Sequence, residues 1–126
     1  MVKRKEWEKE VPIGIADALG ENKDRSSSEC LRILEKEDLK VLTPVGRIRE
    51  IARSYSKKHK IPVRINEGFF KKMDYPHADA IHSYYKGKSV IYLHPILKYY
   101  PEKYIRGCIE HELDHARVEQ KWEEIL

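Results

Sequence analysis

Two β-rich segments, AIHSYY and SVIYLH, are separated by only the three residues KGK around Gly87, and this spacing constrains the fold more than any other feature of the chain. A short glycine-containing turn between two such segments is typical of a β-hairpin. A further segment, VRINEGFF, begins with Val63 and Ile65 alternating with polar residues, which predicts another strand. The sequence therefore predicts a short three-stranded sheet.

Helical segments are expected on both sides of this sheet. In TPVGRIREIARSYSKKHK, Thr43 is predicted to be the N-cap and Pro44 the first helical residue. Its apolar residues form one stripe at helical spacing: Val45, Ile48, Ile51, Ala52 and Tyr55. Helical spacing returns after Pro95, with Ile105, Ile109 and Ala116 on one side. The predicted fold class is α+β, with helix 44–60 and the C-terminal helix packed on the sheet.

The N-terminal third is also expected to be helical. SSSECLRILEKEDLKVL offers a serine cap with Glu29 behind it, followed by leucines at irregular spacing. Because these residues precede the helix–strand–hairpin–helix order, residues 1–43 are predicted to be a helical extension or a pro-segment of a domain formed by residues 44–126.

Length and composition limit the class of protein. A chain of 126 residues and 15.0 kDa is expected to form one modest core. Its longest apolar runs are too short for a membrane span, and its charged start lacks the apolar region of a secretory signal. Two cysteines make no disulfide framework, so a soluble cytoplasmic protein is expected. Only three amide residues accompany abundant Lys and Glu, a composition associated with hyperthermophiles.

The segment HELDH, residues 111–115, carries the strongest chemical signal. At about 100° per residue, His111, His115, Glu112 and Glu119 fall on one flank of a helix. Two imidazoles one turn apart can hold one Zn²⁺, and a carboxylate beside the first can take a proton from water that the metal activates. The alternative is a charged surface helix that happens to contain two histidines.

Together with the segments before it, HELDHARVE resembles the catalytic core of zincin metallopeptidases. The pattern H-E-L-x-H-A is similar to that of gluzincins, and the layout of residues 44–119 is similar to minigluzincins, SprT-like proteases and HtpX-type peptidases. The resemblance implies a small zinc metallopeptidase in which His111 and His115 bind zinc and Glu112 is the general base. It also implies that SVIYLH lies along the cleft and pairs with an extended peptide.

The third zinc ligand departs from the family pattern, because no histidine follows His115. Glu119 is the predicted third ligand, and its alternative role is to support a ligand histidine from outside the metal site. Glu123 or Glu124 would serve only if the helix broke after Glu119, and the sequence contains no signal for a break.

Two further functions stay open. Residues 44–109 contain fourteen basic and five acidic residues, a net charge of +9. This charge suits either a solvated surface or a nucleic acid partner, as for a SprT-like protease that acts at nucleic acid. Alternatively, the protein is latent or non-catalytic, with Trp122 and Leu126 on the C-terminal helix covering the cleft or forming a homo-oligomer contact.

The remaining histidines are weighed in the same way. In HADAIH, His77, Asp79 and His82 lie close together, and ordinary surface residues are favoured over a second metal site. A lesser alternative places His82 in the cleft, where it would stabilise the oxyanion formed during hydrolysis.

Overall fold

The computed structural model describes residues 26–73 and 78–125, with the side chains of 120 and 122–125 excepted. The fold of this part is α+β. In chain order its elements are α1 (Ser27–Lys36), α2 (Val45–His59), β1 (Val63–Ile65), α3 (Glu67–Met73), β2 (Ala80–Tyr85), β3 (Lys88–Leu93), a 3-10 helix (Pro95–Tyr99) and α4 (Glu102–Ile125). None of the described helices combines the length and the apolar character needed to cross a bilayer.

The predicted hairpin is confirmed as β2 and β3. Its turn consists of Lys86 and Gly87, both with positive φ (50° and 77°), as expected for the two-residue turns that match the twist of paired strands. β3 also pairs in parallel with β1, and Val63 lies opposite Ile91, so the strand order is β1-β3-β2.

This strand order overturns one expectation. SVIYLH was expected to line the cleft and pair with a substrate, but β3 is the central strand. Its second half pairs with β1 on one side and its whole length pairs with β2 on the other, so β3 is not the edge strand beside α4. The edge strand beside α4 is β2, the segment AIHSYY.

Helix α2 carries the predicted apolar stripe, with Ile48, Ile51 and Ala52 buried. The predicted cap is wrong: Pro44 is the N-cap residue, and no side chain caps this end. The Thr43 hydroxyl instead donates to the carbonyl oxygen of Tyr100 at 2.7 Å, which fastens the start of α2 to the segment before α4.

The segment VRINEGFF is a strand only as far as Ile65. Asn66 then starts α3, because its side-chain oxygen accepts a hydrogen bond from the Phe69 amide at 3.1 Å. Phe69 stacks on Tyr92 of β3, with ring centroids 4.0 Å apart. Phe69 and Phe70 therefore belong to helix α3, which packs on the sheet. The observed strand is shorter than the predicted one.

Helix α1 begins at the predicted serine cap, where the Ser26 hydroxyl accepts from the Glu29 amide at 3.2 Å. Ser27 ties α1 to Ala78, two residues before β2, because its hydroxyl accepts from the Ala78 amide at 2.8 Å and donates to the Ala78 carbonyl. Leu31 and Leu34 lie in the same core as the sheet and α4. Residues 1–25 lie outside the described residues, and the division of the chain at residue 43 stays a prediction.

A single cluster of buried side chains joins these elements. Helix α4 contributes Ile105, Ile109, Leu113 and Ala116, none of them more than 2% exposed. This confirms the predicted apolar side of the C-terminal helix. Because residues at this spacing face the core, the flank that carries the two histidines lies at the margin of the sheet.

His94 is a fully buried polar residue between β3 and the 3-10 helix. Its Nδ1 accepts from the Ile96 amide at 3.0 Å, and its Nε2 lies 3.1 Å from the Ser28 hydroxyl of α1. With Nδ1 as the acceptor, the Nε2–H donates to Ser28. The His94 imidazole thus caps the start of the 3-10 helix and links α1 to the sheet.

We expect His94→Ala to lower the free energy of unfolding by about 3 kcal/mol, because it leaves a cavity and two buried polar groups without their partner. Chemical denaturation monitored by circular dichroism measures this change. His59→Ala is the control, since His59 lies at the surface end of α2 and should cost less than about 1 kcal/mol. Equal losses in the two variants would contradict the assigned role of His94.

Candidate metal centre

Helix α4 brings His111 and His115 together at its exposed flank. Their Nε2 atoms are 3.2 Å apart, and the rings are perpendicular with centroids 4.7 Å apart. Two nitrogen ligands at about 2.05 Å from a tetrahedral Zn²⁺ are separated by about 3.3 Å. The spacing of the two imidazoles therefore matches what one zinc ion requires from two neighbouring ligands.

Glu112 lies beside this pair and is half-buried between α4 and β2. Its Oε2 accepts a hydrogen bond from the backbone amide of His82 at 2.9 Å. Burial raises the pKa of the Glu112 carboxyl, and the two imidazoles and the His82 amide oppose this rise. The carboxyl group is thus held in place while its proton affinity is increased.

His111, Glu112 and His115 form a group whose ligand atoms all lie within 4.8 Å of one another. Among the described residues, this group is the one in which three or more His, Cys, Asp or Glu side chains lie close enough together to hold a metal ion. The structure therefore brings together the three residues of the HELDH motif that the sequence singled out.

Glu119, the predicted third ligand, lies one turn beyond His115 and is exposed. It is outside the group of three, although it lines the same cavity as Glu112 and His115. Helix α4 continues to Ile125 without a break, as the sequence indicated. The side chains of Glu123 and Glu124 lie outside the description, so the identity of the third ligand stays a prediction.

A groove runs between β2 and α4, with Glu112 in its wall. A cavity of about 440 Å³ lies on one side of Glu112 and includes His111, Tyr104 and Gly107. A second cavity of about 380 Å³ lies on the other side and includes His115 and Glu119. The paired histidines therefore lie midway along the groove, with space on both sides.

The first cavity owes its space to small side chains on α4. Gly107 is one turn before His111, and apart from its chain neighbours and the backbone of its own helix no described atom lies within 4 Å of the position that a Cβ would occupy there. Cys108 also lines this cavity, and burial raises the pKa of its thiol to about 12, so it is a neutral wall of the groove at pH 7.

His82 and Asp79 differ from the expectation of ordinary surface residues. The His82 side chain lines the groove, with its Nε2 at 2.9 Å from the Ser89 hydroxyl, and burial lowers its pKa. Asp79 accepts a hydrogen bond from the Tyr104 hydroxyl at 2.5 Å. The sequence did contain a signal for the position of His82. Side chains alternate between the two faces of a strand, so His82 lies on the same face of β2 as Ala80. His77 lies outside the described residues.

Two of the fourteen basic residues of 44–109, the segment expected to attract nucleic acid, border a different side of α4. Lys58 of α2 and Arg106 and Arg117 of α4 line a cavity of about 460 Å³ between the two helices, together with Glu110 and Asp114. Because acidic groups share this cavity, it gives no preference for an anionic partner. The nucleic acid partner stays a prediction.

No protein-family model matches the chain, and neither a curated protein nor a solved structure matches it significantly. The resemblance to zincins therefore rests on the HELDH motif and on the order of the elements around it.

Proposed function

We propose that this chain is a zinc-dependent metallopeptidase of the zincin class that cleaves extended peptides. The observation that carries the proposal is the convergence of the His111 and His115 Nε2 atoms, 3.2 Å apart, beside the Glu112 carboxylate at the outer strand of the described sheet. A charged surface helix does not require a carboxylate that is half-buried and bound to an edge strand.

The donor set fits zinc. Neutral imidazole nitrogen is a good zinc ligand, and the separation of the two Nε2 atoms agrees with tetrahedral geometry. His111 and His115 would hold the ion, and Glu119 is the proposed third ligand from the following turn. When bound, zinc supplies Lewis acidity, which polarises a peptide carbonyl and makes water a nucleophile at neutral pH.

Glu112 is the proposed general base and acid. Its Oε2 is occupied by the His82 amide, so Oε1 is the atom that accepts a proton from the attacking water and later delivers it to the leaving amine. Burial raises the pKa of the Glu112 carboxyl. A group can both take up and release a proton most readily when its pKa lies near the operating pH.

The proposed substrate is an unfolded or extended segment of protein. Within the described residues no strand pairs with the outer edge of β2, and an extended peptide can bind such an edge through main-chain hydrogen bonds at positions other than the His82 amide, which Glu112 accepts. The cavities on either side of Glu112 would receive substrate side chains flanking the scissile bond. A folded domain would have to unfold locally to enter.

The experiment that tests the proposal measures zinc by elemental analysis and follows cleavage of an unstructured protein by the same preparation. We expect about one zinc per native chain, together with peptide cleavage that a chelator abolishes and added zinc restores. Glu119→Ala should bind zinc more weakly, because it removes the proposed third ligand. Glu110→Ala on another side of α4 is the matched control and should keep the zinc.

A native chain that binds no zinc even when zinc is supplied would overturn the proposal. Unchanged zinc affinity in Glu119→Ala would exclude Glu119 as a ligand and leave the two histidines as the assigned part of the site. Action at nucleic acid, latency and self-association through the C-terminal helix stay predictions.

A further inference from the structure

The backbone amide of His82 points away from the sheet. Its partner across the hairpin, Ile91, donates its own amide to the Pro62 carbonyl at 2.9 Å, on the side of β1. His82 and Ile91 therefore form a pair without mutual hydrogen bonds, and in such a pair both amides point outwards. The outward amide of His82 meets the Glu112 carboxylate at 2.9 Å.

We infer that the main chain of His82 is a positioning group that holds Glu112 in the orientation needed for proton transfer, an inference that rests on the proposed peptidase function. A backbone amide cannot turn away without moving its strand. β2 is held by its pairing with β3 and by the contact of the His82 ring with Ser89. The amide is therefore a fixed donor, in contrast to a side chain on the groove surface.

The need for such a donor follows from the position of Glu112. Its carboxylate lies within 4.8 Å of the ligand atoms of His111 and His115. A glutamate side chain has three rotatable bonds, so an untethered carboxylate could bind the metal itself or turn into the groove. Either movement would remove the proton acceptor from the reacting water. The His82 amide prevents this by binding Oε2, so that Oε1 faces the reacting water as the proton acceptor.

The inference separates the backbone of His82 from its imidazole. If the amide positions Glu112, His82→Pro, which lacks the amide, loses more activity than His82→Ala, which keeps it. Proline is tolerated at this position because the lost N–H is not part of the β2–β3 ladder. Ala80→Pro is the matched control, since the Ala80 amide also points outwards at the same edge but does not bind Glu112.

The test compares steady-state kinetics of the zinc-loaded native chain and these three variants on one extended peptide. We expect His82→Pro to lower kcat by about 10–100-fold, the usual cost of losing an outer partner of a metal site, with KM nearly unchanged. Ala80→Pro should stay within about 3-fold of the native kcat, and His82→Ala, which loses the ring contact with Ser89 but keeps the amide, should lose less activity than His82→Pro. Thermal melting by circular dichroism verifies that each variant is folded.

Hydrogen exchange of the His82 amide gives a second readout that is independent of turnover. This amide should be protected in the native chain and exchange at least 10-fold faster in Glu112→Ala, while the Ala80 amide is unaffected. The exchange result decides the inference even if His82→Pro does not fold. Equal His82 exchange in the native chain and in Glu112→Ala would overturn it.

Two kinetic results would also overturn the inference. Native kcat in His82→Pro would show that the amide does not position the base. A raised KM with unchanged kcat would assign the amide to substrate binding instead. Failure of the proposed function is a different result, because the native chain itself would then cleave no peptide.

Discussion

Replacing Glu112 with glutamine is expected to lower kcat for peptide hydrolysis by roughly 10²–10⁴-fold while the protein keeps its zinc. Glutamine has nearly the same shape as glutamate, and its side-chain oxygen can still accept from the His82 amide. It cannot take a proton from water. The variant therefore removes proton transfer and leaves the groove and the paired histidines in place.

The measurement combines peptide cleavage with elemental analysis on the same purified protein. Glu110→Gln is the matched control, because Glu110 lies on another side of α4, where it accepts a hydrogen bond from the Tyr55 hydroxyl. This control should retain both zinc and activity. Full activity in Glu112→Gln would exclude the proposed base, and loss of zinc together with activity would make Glu112 a ligand instead.

Replacing His111 with alanine is expected to weaken zinc binding by more than about 100-fold, because loss of an outer partner alone typically costs 10–100-fold. Peptide cleavage should be lost with the metal. In the native chain, zinc at one hundred times its Kd should raise the free energy of unfolding by about 2.7 kcal/mol, since it binds the folded state. His111→Ala should not gain this stabilisation at the same zinc concentration.

Thermal melting with and without zinc measures the difference, and His59→Ala controls for the loss of a histidine far from the site. His59 stacks on Tyr55 and lines the cavity between α2 and α4. Zinc should stabilise this control as it stabilises the native chain. An equal zinc-induced shift in His111→Ala would place the metal elsewhere and remove the basis of the proposed function.

Much of the fold was predictable because its signals are local. The apolar stripe of α2, the Lys86–Gly87 turn and the buried side of α4 each depend on residues close together in the sequence. The order of the strands was not predictable in this way. It depends on the parallel pairing of β1 with β3, and nothing within either strand specifies that partner. Thr43 was similarly misassigned, because its hydroxyl binds the distant Tyr100 carbonyl.

The same distinction explains the outcome at the site. His111, Glu112 and His115 lie on one turn of one helix, so helical spacing alone was enough to bring them together. His82 reaches the groove through the packing of β2 against α4, and its amide meets Glu112 across 30 positions of the chain. No local pattern encodes that contact.

The two-residue turn at Lys86 and Gly87 fixes the register of β2, the strand whose His82 amide contacts Glu112. Its length sets which amides of β2 are used inside the sheet and which project towards α4. One inserted residue that shifted the register would exchange these two sets and move the His82 side chain to the opposite face. The length of this surface turn therefore determines whether the His82 amide lies beside the proposed metal centre.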